Sequence, residues 1–384
     1  LKPYISYLTL TLMLFAVSGC ASMADRLINR VRIKPPYRAG PAAQALHRNL
    51  FIVDLHADTL LWKRDILVRS SHGHVDLPRL KEGQVGLQVF SVVTQFPLFI
   101  KLDGNSESPD AIKTLTKSHD WPKETHSSRM ARALYQAEKL HNSVRASNGE
   151  LELITGRDKL ENLILRRSQG QSVVGAMLAL EGAHALEGKP ENLDRLFEAG
   201  FRILGLAHFI DNELTGSAHG KKKGGLTPPG REVVSRAEEL GMIIDLAHAS
   251  PQAIDEILGI GGSPLIVSHT GVRGTCDTVR NLSDHHLKGI AARGGVIGIG
   301  LFKHAVCGKK LQDTVKAMRY LALLVGVEHV ALGSDFDGST AVVDAAGLVL
   351  LTEAMIQAHF TEEEIRAILG GNMLRLFEKT LPES

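Results

Sequence analysis

Short, almost uninterrupted apolar runs recur along the chain, at residues 50–55, 85–93, 173–180, 203–207, 242–247, 264–268, 295–301 and 329–333. Such runs suit strands covered on both faces. Most are separated by segments with helical spacing, such as "TPPGREVVSRAEELG", where Thr227 or a neighbour can cap and the prolines suit a first turn. Eight strands alternating with amphipathic helices predict an α/β fold, with a parallel sheet closed into a (β/α)8 TIM-like barrel. An open, doubly wound sheet is the alternative.

One interval breaks the alternation. Residues 94–150 hold a polar stretch, "DGNSESPDAIK", and a long helical pattern from Ser127 to Ser147. An excursion of this length on a barrel implies a lid or specificity element over the site, or an oligomer contact. After the eighth run, "TEEEIRAILGGNMLRLFEK" reads as two short helices around Gly370 and Gly371 that cap the barrel.

At the N-terminus, residues 8–17, "LTLTLMLFAV", are too short to span a bilayer but suit the core of a signal peptide. "VSGC" follows, an ending that resembles the lipobox of bacterial lipoproteins. The resemblance implies a signal peptide over 1–19 and lipidation of Cys20. Polar and basic residues with "PPYRAGPAA" then read as a tether over 20–45, leaving 46–384 as the folded barrel. Ala21 stands where an aspartate would mark inner-membrane retention. The expected place is therefore the bacterial cell envelope, lipid-anchored at the outer membrane and facing the periplasm.

Composition narrows the function. Hydrophobic residues make up 44% of the chain and charged residues 22%, which suits a globular enzyme. With 44 basic residues against 42 acidic, no overall field would recruit nucleic acid or an anionic membrane. The run Lys221 to Lys223 reads as a solvated loop. Beyond Cys20 the cysteines are Cys276 and Cys307, a disulfide in an oxidising compartment or two buried thiols in a reducing one.

The chemistry collects at the ends of the runs. In "VDLHADTL", His56 and Asp58 lie two apart, so their side chains share a face just past the first strand. Glu181 ends the third run in "LALEGAH", His208 the fourth in "LGLAHF", and His248 the fifth in "IDLAHAS"; His269 ends the sixth in "IVSHTG", and Asp335 the eighth in "LGSDFDG". Any one of these is an ordinary loop residue. Together they carry weight, because a parallel barrel gathers its carboxyl ends at one mouth. Imidazoles and carboxylates without a thiol suit zinc and related metals.

These motifs, in this order, with "HVDLPRLKEGQVGLQVFSV" and "GLTPPGREVVSRAEELGMIIDLAHAS", resemble the renal or membrane dipeptidases, peptidase family M19 of the amidohydrolase superfamily. The likeness runs from about residue 50 to the C-terminus. It implies a metal-dependent hydrolase barrel with two zinc ions per subunit, cleaving L-Xaa-L/D-Xaa dipeptides with a hydroxide shared by the metals. His56 and Asp58 fall where the family binds one zinc, His248 and His269 where it binds the other. Glu181 falls at the bridge, where many other amidohydrolases use a carboxylated lysine. Asp335 matches the catalytic aspartate, His208 a histidine that steadies the oxyanion, and Arg280 an arginine that grips the free carboxylate of the dipeptide. Cys276 and Cys307 match a disulfide of mammalian relatives, and a homodimer is implied as well. Asp245 is expected to play a structural or supporting part, Asp337 to be a loop or supporting carboxylate, and His72 and His74 to lie in a loop, while His184, His219 and His304 match no family role. The rival expectations are another amidohydrolase reaction, on an N-acyl amino acid, a lactone or a β-lactam, and a non-catalytic, peptide-binding surface lipoprotein.

Overall fold

The computed structural model describes residues 20–106 and 109–383. Nine strands form one sheet: β1 (Ile52–Ala57), β2 (Val85–Val93), β3 (Leu151–Leu153), β4 (Val174–Glu181), β5 (Phe201–Gly205), β6 (Ile243–Asp245), β7 (Ile266–Thr270), β8 (Val296–Ile299) and β9 (Val330–Leu332). Neighbours follow the order β2-β1-β9-β8-β7-β6-β5-β4, every pair is parallel, and a β2–β4 pairing closes the ring. The result is the eight-stranded, helix-wrapped barrel. All eight apolar runs supply a barrel strand. The ninth strand, β3, pairs only with the start of β4.

Every residue of the barrel strands is buried. A period of two is still present. Val53, Leu55, Leu87, Val89, Met177 and Ala179 belong to one apolar cluster, and Ile52, Phe90, Val92, Leu178 and Leu180 to another. Both faces are dry, so the sequence shows continuous runs instead of alternation.

The connections follow the local rules. The helix Pro228–Glu239 starts where Thr227 Oγ1 accepts the Gly230 amide at 3.2 Å, and prolines occupy its first turn. Ser250 and Ser283 cap Pro251–Leu258 and Asp284–Ala292 in the same way. The excursion between β2 and β3 folds into the helices Ala111–Ser118 and Arg129–Ala146. It is fastened over the body: Lys139 Nζ donates to the carbonyls of Leu60 and Trp62, both at 2.6 Å, and the Asn105 amide donates to the His219 carbonyl at 2.8 Å.

The joint between the first and last strands has its own chemistry. Where β1 meets β9 the ladder has a single registered pair, Asp54 with Leu332. The buried Asp54 carboxylate supplements it, accepting the Ser334 amide at 2.8 Å, the Ser334 hydroxyl at 2.7 Å and the Gln88 amide group at 2.8 Å. The Ser334 hydroxyl also reaches the His56 carbonyl at 3.0 Å.

Residues 20–47 carry the helices Cys20–Ile28 and Pro41–His47. Asp25 on the first is buried and accepts from Arg64 Nε at 3.1 Å, while Val31 bridges to Ala341. The expected signal segment 1–19 and the side chain of Cys20 lie outside the described residues. The expected outer-membrane placement is corrected here. Among the described residues no helix is long and apolar enough to cross a membrane, and the described body is a barrel whose apolar runs are buried beneath its helices.

The C-terminal expectation also changes. Gly370 and Gly371 do not separate two helices; Glu362–Arg366, a π-helical segment Ala367–Gly371 and Asn372–Thr380 form one continuous helical run. Gly370 is there for close approach, since a Cβ on it would meet the Phe51 carbonyl oxygen at 1.8 Å. Gly370→Ala is expected to destabilise the fold by about 1–3 kcal/mol, because the obstacle is backbone and the gain in helix propensity is smaller. Urea titration of both proteins checks this; a variant as stable as the parent would show that the backbone yields at no cost.

Candidate metal centre

Donor side chains from the carboxyl ends of six strands or their following loops meet at the barrel mouth. Glu181, the last residue of β4, is the hub. Its Oε2 lies 3.4 Å from His56 Nε2, on β1. Its Oε1 lies 3.1 Å from His248 Nε2, 3.4 Å from His269 Nε2 and 3.5 Å from His208 Nε2. One oxygen thus faces the side of His56 and the other faces the later histidines. Asp58 Oδ1 lies 3.6 Å from His56 Nε2, and Nε2 of His248 and His269 are 3.1 Å apart.

Three overlapping donor sets follow: His56, Glu181 and His269; Glu181, His208 and His248; His56, Asp58 and Asp335, with the ligand atoms of each set within 4.8 Å of one another. All of the residues expected at the metals and at the reacting water are therefore together. Donors 3.1–3.6 Å apart suit ligands around a shared cation, since atoms about 2.0–2.1 Å from a tetrahedral zinc ion lie about 3.3 Å apart. His56 Nε2 and Asp58 Oδ1 are buried without a hydrogen-bond partner, as atoms kept for a metal would be. No cysteine takes part, so the set fits zinc and its neighbours.

Electrostatics point the same way. Burial pushes the Asp335 carboxyl up to about 8, and Asp58 and Glu181 add to it against His56 and Arg280. Burial and Glu181 likewise push Asp58 up, to about 6. Burial works against charge on Glu181 too, but His208, His56 and a hydrogen bond from His248 hold its carboxyl well below the usual range. Three crowded carboxyl groups of this kind are relieved by cations.

The frame around the donors is hydrogen-bonded. Ser268 Oγ lies 2.9 Å from His269 Nδ1 and 3.3 Å from His56 Nδ1, which fixes both rings. Asp245 Oδ1 accepts the amides of Ala247 at 2.9 Å and Ser268 at 2.8 Å, tying β6 to β7 beneath the histidines. His248 and Asp335 have φ of 63° and 62°, left-handed values that re-aim the chain as it leaves its strand. Gly338 leaves room beside them; a Cβ there would meet Asp58 Oδ2 at 2.3 Å and Asp335 Oδ1 at 2.6 Å.

Arg280 is 5% exposed, donates from Nη2 to the His269 carbonyl and lies 5.7 Å from the Phe302 ring centroid. Its loop is pinned by the disulfide between Cys276 and Cys307. Asp337 stands apart from the donors: it accepts Thr59 Oγ1 at 2.8 Å, the His74 amide at 2.8 Å and Arg64 Nη2 at 2.7 Å. Arg64 in turn pairs with Asp25, so the N-terminal helix is tied to the loops of Asp58 and Asp335. His74 is buried in this network, and His72 pairs with Asp25 at 3.1 Å.

His219, which matched no family role, sits at the site. Its ring lies 5.0 Å from that of His248 and stacks on Phe209 at 4.6 Å, its Nδ1 is 2.7 Å from the Leu102 carbonyl, and its buried Nε2 has no partner. No strand-end pattern marks it, because it lies in the long loop after β5 and is placed by the excursion.

Comparison with known proteins gives concordant likenesses. A family model described as membrane dipeptidase (peptidase family M19) matches residues 41–382. The chain is 27% identical over 367 residues to Dipeptidase 3 of Homo sapiens, covering 89% of this chain and 68% of that protein. Among solved structures, a family M19 metallopeptidase called dipeptidase AC superposes with a TM-score of 0.73 at 22% identity, covering 86% of this chain and 99% of that one. A metallopeptidase of Rhodobacter sphaeroides, liganded with a phosphinate mimic of the dipeptide L-Ala-D-Ala, superposes with a TM-score of 0.71 at 23% identity, covering 86% and 99%. At these identities the two structures speak for the fold.

Proposed function

The chain belongs to the membrane dipeptidase family, peptidase family M19, and is a metal hydrolase of the dipeptidase type; from that premise we propose that it cleaves free L-Xaa-L/D-Xaa dipeptides at the centre described above. The carrying observation is the division of Glu181, whose two oxygens face different imidazoles. His56 and Asp58 would hold one zinc ion, His248 and His269 the other, with Glu181 shared. When bound, two such ions supply an acidified, shared water as nucleophile and polarise the scissile carbonyl.

The remaining steps belong to side chains. Asp335, beside Asp58 and His56, takes the proton of the attacking water and passes it to the leaving amine, as a carboxyl group within reach of both can do. His208 directs an N–H at the oxygen that becomes negative in the tetrahedral intermediate. Arg280, held by the His269 carbonyl and backed by Phe302, presents the rest of its guanidinium fork to the dipeptide carboxylate. His219 walls the same side of the site.

A dipeptide panel, each member paired with its C-terminal amide, tests this reading. Free dipeptides are expected to be hydrolysed and the amides to be cleaved poorly, while Arg280→Lys lowers kcat/KM on free dipeptides by about 10–100-fold and erodes the preference, as loss of a charged, two-point contact predicts. Equal cleavage of acid and amide by the parent protein would remove Arg280 from this role. Preferential hydrolysis of N-acyl amino acids, lactones or β-lactams would move the assignment to another amidohydrolase reaction.

A further inference from the structure

A second group of donors converges where the helices after β6 and β7 meet, apart from the centre above. Asp255, on the helix Pro251–Leu258, faces His285 and His286, on the helix Asp284–Ala292. Asp255 Oδ1 lies 3.1 Å from His286 Nε2 and 3.4 Å from His285 Nε2. One ligand atom from each of the three lies within 4.8 Å of the others.

The spacing matches that at the barrel mouth, where donors lie 3.1–3.6 Å apart. It is also near the separation of about 3.3 Å expected around a tetrahedral zinc ion. An ordinary surface ion pair needs one imidazole for one carboxylate oxygen; here two imidazoles approach the same atom. His286 is pre-oriented, since Ser283 Oγ, the cap of its helix, lies 3.2 Å from Nδ1 and leaves Nε2 aimed at Asp255. A hydrogen bond on the far nitrogen is the usual support of a metal-binding histidine. The His286 side chain is 9% exposed, whereas His285 at 79% and Asp255 at 54% leave a side open for water to complete the coordination. Burial, ahead of the opposing pull of Asp255, lowers the proton affinity of His286, which favours the neutral, metal-ready ring.

We propose that Asp255, His285 and His286 form a separate surface site for one divalent transition-metal cation of the zinc class, fastening the helix after β6 to the helix after β7. Those helices start at Ser250, just past His248, and at Ser283, just past Arg280. An ion held there fastens together the two βα units on which these residues stand. Two imidazoles and one carboxylate favour zinc or copper over calcium or magnesium.

The test uses the full chain with its centre loaded, dialysed against zinc at graded free concentrations. The parent protein is expected to take up one more equivalent than His285→Ala, and its thermal midpoint to rise with added zinc where that of the variant does not. Asp255→Asn should weaken the extra equivalent by at least tenfold. Exposed His285 can be replaced without threatening the fold, and hydrolysis by its variant at low zinc should equal that of the parent. Comparing parent with variant isolates the extra equivalent whatever the centre holds. Equal zinc uptake and equal midpoint shifts in parent and His285→Ala would overturn the site.

Discussion

Glu181→Ala is expected to abolish hydrolysis, lowering kcat/KM on a simple dipeptide by at least about 10⁴-fold, and to empty both metal positions together. Most ligand deletions weaken one ion. This one differs because the two oxygens of Glu181 serve opposite sides, within 3.4 Å of His56 and 3.1 Å of His248. Two dications about 4 Å apart repel by on the order of 15 kcal/mol at an effective dielectric constant of 20, and an anion between them is the natural offset. The fold should not suffer, since Glu181 is a buried carboxyl whose charge is sustained mainly by the histidines around it, with one long hydrogen bond of 3.4 Å from the Ser91 hydroxyl. Metal analysis beside circular dichroism decides the matter. A folded Glu181→Ala protein that kept two equivalents would show that the shared ligand lies elsewhere.

Asp335→Asn is expected to lower kcat by about 10²–10⁴-fold, the usual worth of a positioned acid–base group, with KM nearly unchanged. Metal content should stay at the parental value, because the shared ligand and the four side chains assigned to the ions are intact. Asparagine is a fair probe here. It keeps the shape of aspartate and tolerates the left-handed backbone, φ 62°, that this position requires. Steady-state kinetics on metal-replete protein checks it, and a kcat within threefold of the parent would mean that another group carries the proton.

Much of this was legible in the chain. Continuous apolar runs gave the eight strands because the barrel buries both faces, and polar residues at their ends lay together because parallel strands share one mouth. Thr227 marked a helix start through a cap that acts within a few residues. What sequence hid was of longer range. β3 is three residues long and exists only as an edge against β4, so no periodicity could reveal it. Gly370 looked like a helix break, yet its reason is the carbonyl of Phe51, more than 300 positions away. Asp337 read as a loop or supporting carboxylate and His74 as a loop residue; their partners, Arg64 and the Arg30 carbonyl, come from segments far away in sequence. His219 carries no strand-end signal either, because its place is set by contacts with Leu102 and Asn105 of the excursion.

The single-pair joint between β1 and β9 bears on how the enzyme comes into being. His56 and Asp58 leave the ribosome early and Asp335 almost last, yet they belong to one donor set, and the carboxylate of Asp54 can find Ser334 only when the ring shuts. A nascent chain therefore lacks Asp335, the residue proposed to carry the proton, until late in synthesis, and contacts this distant in sequence are slow to form. The full donor set at the mouth therefore exists only after the last strand has joined the first.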